Sequence, residues 1–306
     1  MRVLAHIHTL NEAGIIESAV DALERQTRPP DAIIIVDNGS TDGTLDRVFP
    51  EQVTIIRNPT NVGVSGSVRT GMTYALEHGF DWIWILDADS MPEPDALEKL
   101  LDLYASWPQN LQDETAFLAC LWHNAEDGLP RHGGIFTRHR MHPVRRVPDT
   151  RYYPCHVTIW SGCLYRTPAV RQIGLPHADY FIDWDDIQYG YRVMKAGYKG
   201  FVDQQAVLRH NVRGTSQTRT DVKFGPVAVK FYELPAHRCY YTCRNMLYFT
   251  LHDSAETRVS LLASISTHLS KMVLNFLLRP LNHREQIVAC FRGIWHGVTG
   301  NMAARY

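Results

Sequence analysis

The sequence predicts an α/β protein: an open, mainly parallel sheet flanked by helices, followed by a helical C-terminal region. Three observations carry this. Short apolar runs of strand length, Val3–His8, Ala32–Val36, Val53–Ile56 and Trp82–Leu86, alternate with stretches of helical spacing. Ala32–Val36 and Trp82–Leu86 are continuous rather than alternating apolar and polar, as in strands buried on both faces. Each run also ends in polar residues, among them Asn11, Asp37, Asp87 and Asp89. In an open α/β sheet such residues line the carboxyl edge, where ligands bind.

The elements follow in order. Residues 12–26 carry Ile15, Ile16, Ala19, Val20 and Leu23 at helical spacing, and Pro29-Pro30 closes that unit. After the second strand, Asp37–Gly43 is a turn cluster that caps a helix expected from about Thr44. Asn58–Gly66 reads as a polar loop, and 67–78 as a helix through Val68, Met72, Ala75 and Leu76. The fourth strand ends in Asp87-Ala88-Asp89-Ser90, and Pro92 suits the first turn of the next helix. Further strands are expected at Thr115–Leu121, Val157–Trp160 and Ala206–His210. The Gly-, Arg- and His-rich segment 123–150 takes no assignment; its His123, His132, His139 and His142 fit no zinc-ligand spacing.

Composition removes several classes. Lys and Arg number 31 against 32 Asp and Glu, a formal charge of −1, which speaks against a nucleic-acid binder. Six cysteines with no CxxC pair read as reduced thiols of a cytoplasmic protein. The N-terminus enters a strand without a signal-peptide pattern, and no run reaches the ~18 apolar residues of a membrane span. The G-x-G-x-x-G fingerprint is missing after the first strand, which counts against a nicotinamide enzyme.

Two carboxylates at one strand end can divide their work between a ligand and a cation such as Mn2+ or Mg2+ held with a phosphate, or can simply cap the next helix. Asp37 has two readings of equal weight: acceptor for a base or ribose, or first residue of an Asp-Asn-Gly turn. Asp183, Asp185 and Asp186 open a stretch of helical spacing, where acids are favoured by the helix dipole alone; Phe181 and Trp184 beside them would suit a sugar site.

Thr9-Leu10-Asn11, Val36-Asp37-Asn38-Gly39-Ser40-Thr41-Asp42-Gly43-Thr44, Asn61-Val62-Gly63 and Leu86-Asp87-Ala88-Asp89-Ser90 together resemble the nucleotide-sugar half of a family 2 glycosyltransferase over roughly residues 3–215. The resemblance implies the Rossmann-like GT-A fold. It implies donor contacts from Thr9, Asn11, Asp37, Asn38, Asn61, Gly63, Asp87 and Ala88, with Asp37 at the pyrimidine base and Asp87 at the ribose side. Asp89 would bind the metal, and His210, at a strand end where a lone histidine is ordinarily a surface residue, would complete that site. Trp160-Ser161-Gly162 resembles the small-residue segment beside the donor sugar. Phe181–Arg192 resembles the acidic catalytic motif; taking Arg192 as its usual arginine makes Asp186 the general base, with Asp185 before it and open to the same role. Trp184-Asp185-Asp186 is similar to galactofuranosyltransferases, and Trp184 and Arg213 join the expected donor contacts. Arg213, Arg219 and Lys223 lie in the polar loop after His210, where they would close over the diphosphate or simply be solvated.

Tyr240-Tyr241-Thr242-Cys243-Arg244-Asn245 resembles the segment after the catalytic domain in bacterial rhamnosyl- and galactofuranosyltransferases. An apolar stripe follows through Leu261, Leu262, Ile265, Leu269, Met272, Val273, Phe276 and Leu277. Packing onto the catalytic domain or a second copy of the chain is its simpler reading; seating at the inner face of a membrane, near Arg279, His283, Arg284 and Arg292, is the sharper one. The expected organisation is a catalytic domain over 1–220 and a helical region over 221–306. The expected activity is inverting, metal-dependent transfer from a UDP or dTDP sugar to a hydroxyl of a glycan or lipid-linked acceptor in bacterial surface polysaccharide synthesis. The rivals are a sugar nucleotidyltransferase, which would carry a basic Gly-rich phosphate loop in place of Thr9-Leu10-Asn11-Glu12, and a nucleotide-sugar-binding scaffold without turnover.

Overall fold

The computed structural model describes residues 1–46, 49–124, 130–131, 133–137, 140–144, 149–210, 218–224, 227–254 and 284–306. It divides into two compact units, one of residues 1–181 with 189–213 and the other of residues 182–188 with 214–306. The acidic segment 182–188, assigned by sequence to the catalytic domain, thus groups with the C-terminal residues.

The first unit is built on one mixed, largely parallel sheet. Its strands are β1 (Val3–Thr9), β2 (Ala32–Asp37), β3 (Val53–Arg57), β4 (Trp82–Asp87), β5 (Met91–Pro92), β6 (Thr115–Asn124), β7 (Pro130–Arg131), β10 (Tyr152–Cys155), β11 (Cys163–Arg166) and β12 (Lys199–His210). The short strands β8 (Gly134–Thr137) and β9 (Arg140–Pro143) form a separate hairpin. Across the sheet the order is β3-β2-β1-β4-β11-β6-β12-β10. The pairs β3–β2, β2–β1, β1–β4 and β6–β12 are parallel, whereas β11 runs antiparallel to both β4 and β6.

Helices cover both faces, as the continuous apolar strands require. Alternate residues divide cleanly: Val3, Ala5, Ile7, Trp82 and Trp84 join one core cluster with Ile16 and Leu23 of α1 (Ile16–Glu24) and Leu97 and Leu100 of α3 (Ala96–Ala105). Leu4, Ile34, Val36, Ile83 and Ile85 join the other with Val68 and Met72 of α2 (Gly63–Glu77) and Val193 of α6 (Asp185–Lys195). The short helices α4 (Gln109–Glu114) and α5 (Thr167–Ile173) complete the unit.

Several expected boundaries differ. Pro92 does not open a helix: Met91-Pro92 pairs with Arg209-Leu208 of β12, and α3 begins at Ala96. No helix begins at Thr44 among the described residues. Val157–Trp160 is not a strand; β10 and β11 flank it, and the segment turns the chain between them. The hairpin of β13 (Thr218–Phe224) and β14 (Val227–Glu233) stands where a polar loop was expected, so the helical region begins only at α7 (Ala236–Tyr248). Alternating β-branched and aromatic residues on either side of Gly225-Pro226 are the signal for that hairpin.

In the second unit, α8 (Arg284–Thr299) packs closely on α7 through glycines. A Cβ on Gly293 would lie 2.4 Å from the Tyr240 carbonyl, and one on Gly297 2.5 Å from that of Arg244. The opposite side of α8 exposes Val288, Phe291, Trp295 and Val298. The apolar stripe expected over 261–277 lies outside the described residues.

One close approach in the first unit is testable. His6 is fully buried on β1, and a Cβ on Gly71 of α2 would lie 2.8 Å from its ring. A Gly71→Val variant should lose about 1–3 kcal/mol of stability in urea titrations, whereas a stability equal to that of the parent would show that α2 can move away from β1.

Candidate functional site

The parallel register brings the carboxyl ends of β1, β4 and β12 to one edge. His8 pairs with Asp87 across β1 and β4, while β12 ends at His210. One ligand atom each from Asp87, Asp89 and His210 lies within 4.8 Å of the others. The His210 Nδ1 is 3.6 Å from Asp87 Oδ2 and 3.7 Å from Asp89 Oδ1. Two carboxylates and one imidazole at such spacing form an oxygen-rich set of the kind that takes Mn2+ or Mg2+.

The electrostatics fit the same use. Burial raises the pKa of Asp87, but His8, by charge and by hydrogen bond, and then His210 and His6 outweigh it and bring it to about 2. Asp89 is raised to about 6, by burial first and then by the Asp87 carboxylate. The second negative charge is therefore disfavoured, and a cation between the two acids would relieve it.

Three side chains hold this cluster in place. The His8 Nε2 is 2.7 Å from Asp87 Oδ1. The Asp87 N–H donates to Ser161 Oγ at 3.0 Å, and the Ser161 hydroxyl donates to Ser90 Oγ at 2.8 Å. Ser90 Oγ in turn lies 2.7 Å from His210 Nδ1. The strand end carrying Asp87 is thus tied to the ring of His210 through two buried hydroxyls. Sequence reading missed His8 and Ser90; the signal for His8 was its place two residues after His6, at the end of a strand adjacent to the acid pair.

The neighbouring loops use most of the expected donor residues to brace one another. Asp37 is fully buried and accepts from the N–H groups of Gly39 and Ser40, at 3.2 and 3.1 Å, so the turn reading of this residue describes its geometry. Asn38 accepts from Asn58 Nδ2 at 3.1 Å and from the Ser67 hydroxyl at 2.9 Å. Asn11, at φ 57°, donates its N–H to Ser40 Oγ and accepts from the Thr41 N–H, joining the loops after β1 and β2. Thr9 is buried at the end of β1. Asn61 accepts from the N–H of Gly63, whose φ of 74° and lack of a side chain let α2 meet the Phe181 carbonyl; a Cβ there would lie 2.2 Å from that oxygen.

Two expected donor contacts, Trp160 and Gly162, are packed among core residues. Trp160 is 4% exposed and packs its ring against Tyr165 and Tyr189, because an indole of that area is best removed from water. Gly162, at φ 85°, is required by Leu208 and Cys120, which a Cβ would meet at 3.0 and 3.2 Å. Ser161 serves the hydroxyl relay described above. Ala88 is buried between the two acids. Arg213 lies outside the described residues, and so do the side chains of Arg219 and Lys223.

In the second unit the acidic segment has an unusual backbone. Phe181, before it, and Asp183 and Trp184 within it adopt φ values of 65°, 64° and 67°, a region that non-glycine residues rarely occupy. Asp185 and Asp186 follow as the first residues of α6. Asp185 is buried, and Asp186 accepts from the Ile187 N–H at 2.7 Å. Burial, and after it the charge of Asp185, pushes the Asp186 pKa up to about 8. The helix dipole acting alone would lower it, so burial and the Asp185 charge act against the dipole at this position.

Comparison with known proteins places these features. The galactofuranosyltransferase GlfT1 of Mycobacterium tuberculosis H37Rv is 27% identical over 203 residues, 64% of this chain and 65% of the relative. The chain thus spans about two thirds of that protein's length. The N-acetylglucosaminyl-diphospho-decaprenol L-rhamnosyltransferase of the same organism is 25% identical over 231 residues, 66% of this chain and 74% of the relative. Among solved structures, GalNAc-T7 with UDP, GalNAc and Mn2+ superposes with a TM-score of 0.57 at 15% identity, over 69% of this chain and 44% of the other. The mannosyltransferase PcManGT of Pyrobaculum calidifontis, with GDP-Man and Mn2+, gives 0.56 at 14% identity over 97% of this chain and 87% of the other. At these identities the structures establish the fold, which is GT-A. The family model described as Glycosyl transferase family 2 matches residues 5–174, more than half of the 306; the chain belongs to that family.

Proposed function

We propose that the protein is an inverting, metal-dependent glycosyltransferase. Its donor is a nucleoside-diphosphate sugar, UDP-galactofuranose, dTDP-rhamnose or another UDP-hexose, and its acceptor a hydroxyl of a glycan or lipid-linked glycan. The observation that carries this reading is the cluster of Asp87, Asp89 and His210 at the carboxyl edge of a family 2 domain. The two relatives act, by name, on galactofuranose and on a decaprenol-linked sugar, which supports a place in bacterial surface polysaccharide synthesis.

The roles follow from what the reaction needs. Asp89 and His210, with Asp87 beside them, hold a divalent cation, which when bound supplies positive charge to the departing diphosphate. His8 keeps Asp87 oriented and ionised, and the hydroxyls of Ser90 and Ser161 fix the imidazole of His210. The loops carrying Asn11, Asp37, Asn38 and Asn61 shape the nucleotide side. The acceptor hydroxyl must lose its proton as its oxygen bonds to the anomeric carbon and the bond to the diphosphate breaks. Asp186 takes that proton. A single displacement of this kind inverts the anomeric centre. A base with a raised pKa is a good match for a hydroxyl, because proton affinity and ionised fraction are balanced near neutral pH.

Asp186→Asn should lower the rate of transfer by about a hundredfold or more, while UDP binding in the presence of Mn2+ stays within about twofold of the parent. Weakened nucleotide binding with intact turnover would remove the base role from Asp186. The pH profile makes a second check. A base must be ionised, and the pKa of Asp186 is raised to about 8, so turnover should climb with pH through the neutral range and level off only above that value. Asp185→Asn takes away the neighbouring charge and should move this limb to lower pH. A profile already flat above about pH 6, as an ordinary carboxylate would give, would contradict the assignment.

A further inference from the structure

We propose that one face of α7 is a positioning clamp for the catalytic acid: Arg238, Thr242, Asn245 and Phe249 hold residues 182–184 in a strained path that sets where α6, and with it Asp186, begins. The inference rests on Asp186 as the base.

Strain is the first observation. Phe181, Asp183 and Trp184 all have positive φ within four residues, and none is glycine. Phe181 combines φ 65° with ψ −66°, the geometry of a rare, strained γ-turn. Each such residue is costly and persists only where its surroundings over-determine it. Left to itself, this stretch would relax, and the first turn of α6 would shift with it.

Phe181 is held by α2, its carbonyl accepting from the Ser65 N–H at 3.1 Å, whereas residues 182–184 are met by one helical face. Positions 238, 242, 245 and 249 are spaced four, three and four residues apart, so their side chains line one side of α7 and its continuation in the π-turn Phe249–Asp253. Arg238 grips the Asp183 carboxylate with both arms of its fork, Nε to Oδ2 at 2.7 Å and Nη2 to Oδ1. The Thr242 hydroxyl donates to the same Oδ2 at 3.1 Å. The Asn245 amide nitrogen donates to the carbonyls of Ile182 and Asp183 at 2.9 and 2.7 Å. The Phe249 ring packs against that of Trp184, with centroids 5.9 Å apart.

The clamp has its own backing. Arg244 is fully buried and donates to Asn245 Oδ1 at 2.9 Å. That bond leaves the amide nitrogen of Asn245 facing the loop. The same guanidinium donates to the carbonyls of Met302 and Ala304 at 3.1 and 2.6 Å and lies over the Tyr241 ring. Residues near the C-terminus thus reach the acidic loop through Arg244 and then Asn245. The adjacent Arg244-Asn245 pair, noted in the sequence as a family-like feature, has a mechanical meaning: one residue aims the other. A fork of two parallel bonds also explains arginine rather than lysine at 238.

The test uses the full chain with Arg238→Ala, Arg238→Lys and Asn245→Ala, and Asp186→Asn alongside. Three readouts are needed: hydrogen exchange of the peptide covering 181–188, kcat and KM for nucleotide release from UDP-galactofuranose and dTDP-rhamnose, and UDP affinity with Mn2+. Arg238→Ala and Asn245→Ala should speed exchange in that peptide and lower kcat about ten- to a hundredfold, with KM and UDP affinity within about twofold, and Arg238→Lys should recover part of the loss. Exchange at the parent's rate in both variants would overturn the clamp whatever the donor. So would a kcat loss no larger than the fall in folded protein seen by tryptophan fluorescence. Parent-like turnover in Asp186→Asn would instead refute the base assignment, leaving the exchange result to decide the clamp.

Discussion

Two carboxylates two residues apart, at the mouth of a sheet buried on both faces, are an electrostatic liability, and the arrangement around Asp87 and Asp89 answers it. Were both acids alone at such an edge, burial and mutual repulsion would push each toward its neutral form. Instead the charge is divided. Asp87, held by His8 and faced by His210, is kept ionised, whereas Asp89 stays raised to about 6. The two acids thus differ in proton affinity, and His210 lies between them, 3.6 and 3.7 Å from their carboxylates. The two hydroxyls between Asp87 and His210 make this a connected structure, so a shift at one strand end is felt at the other. His6, two residues before His8 and fully buried, is kept neutral with a pKa lowered to about 3, so its ring adds bulk rather than charge against Gly71.

The second unit presents a different constraint, conformational rather than electrostatic. Its acids start a helix, but they are reached through a backbone path that costs energy to maintain. Side chains at helical spacing on α7 oppose that cost, and a buried arginine braces them in turn. In both units hydrogen bonds from neighbouring elements hold the acidic groups in place. Regular elements supply the frame: β4 and α6 end or begin at the acids because buried apolar residues fix their register.

Most of the frame was legible in the sequence, since continuous apolar strands and helical spacing both report burial. The order of the first four strands, the acids at β4, His210 at the end of β12 and the acids at the start of α6 all stand where the residues implied. Three kinds of feature were not legible. The packing of Trp160 on Tyr189 and of Gly162 on Leu208 and Cys120 depends on tertiary contacts that the local segment does not announce. Asp37 sits at a strand end like a ligand-binding acid, and its carboxylate accepts from its own turn and faces Arg57 Nε on β3 at 3.5 Å. His8, Ser90 and the face of Arg238, Thr242 and Asn245 depend on pairings between distant segments, and no local pattern announces them. The hairpin of β13 and β14 was available from its alternation and was masked by the expectation of a polar, phosphate-facing loop.

The measurement that bears most directly on the proposed site is a Mn2+ titration followed by electron paramagnetic resonance, with and without UDP or dTDP, in the parent and in Asp89→Asn. The parent should bind Mn2+ more tightly when nucleotide is present, and Asp89→Asn should weaken that binding by about tenfold or more while the fold is retained. Nucleotide binding that is indifferent to Mn2+, or equal Mn2+ affinity in the two proteins, would contradict a cation held at Asp87, Asp89 and His210.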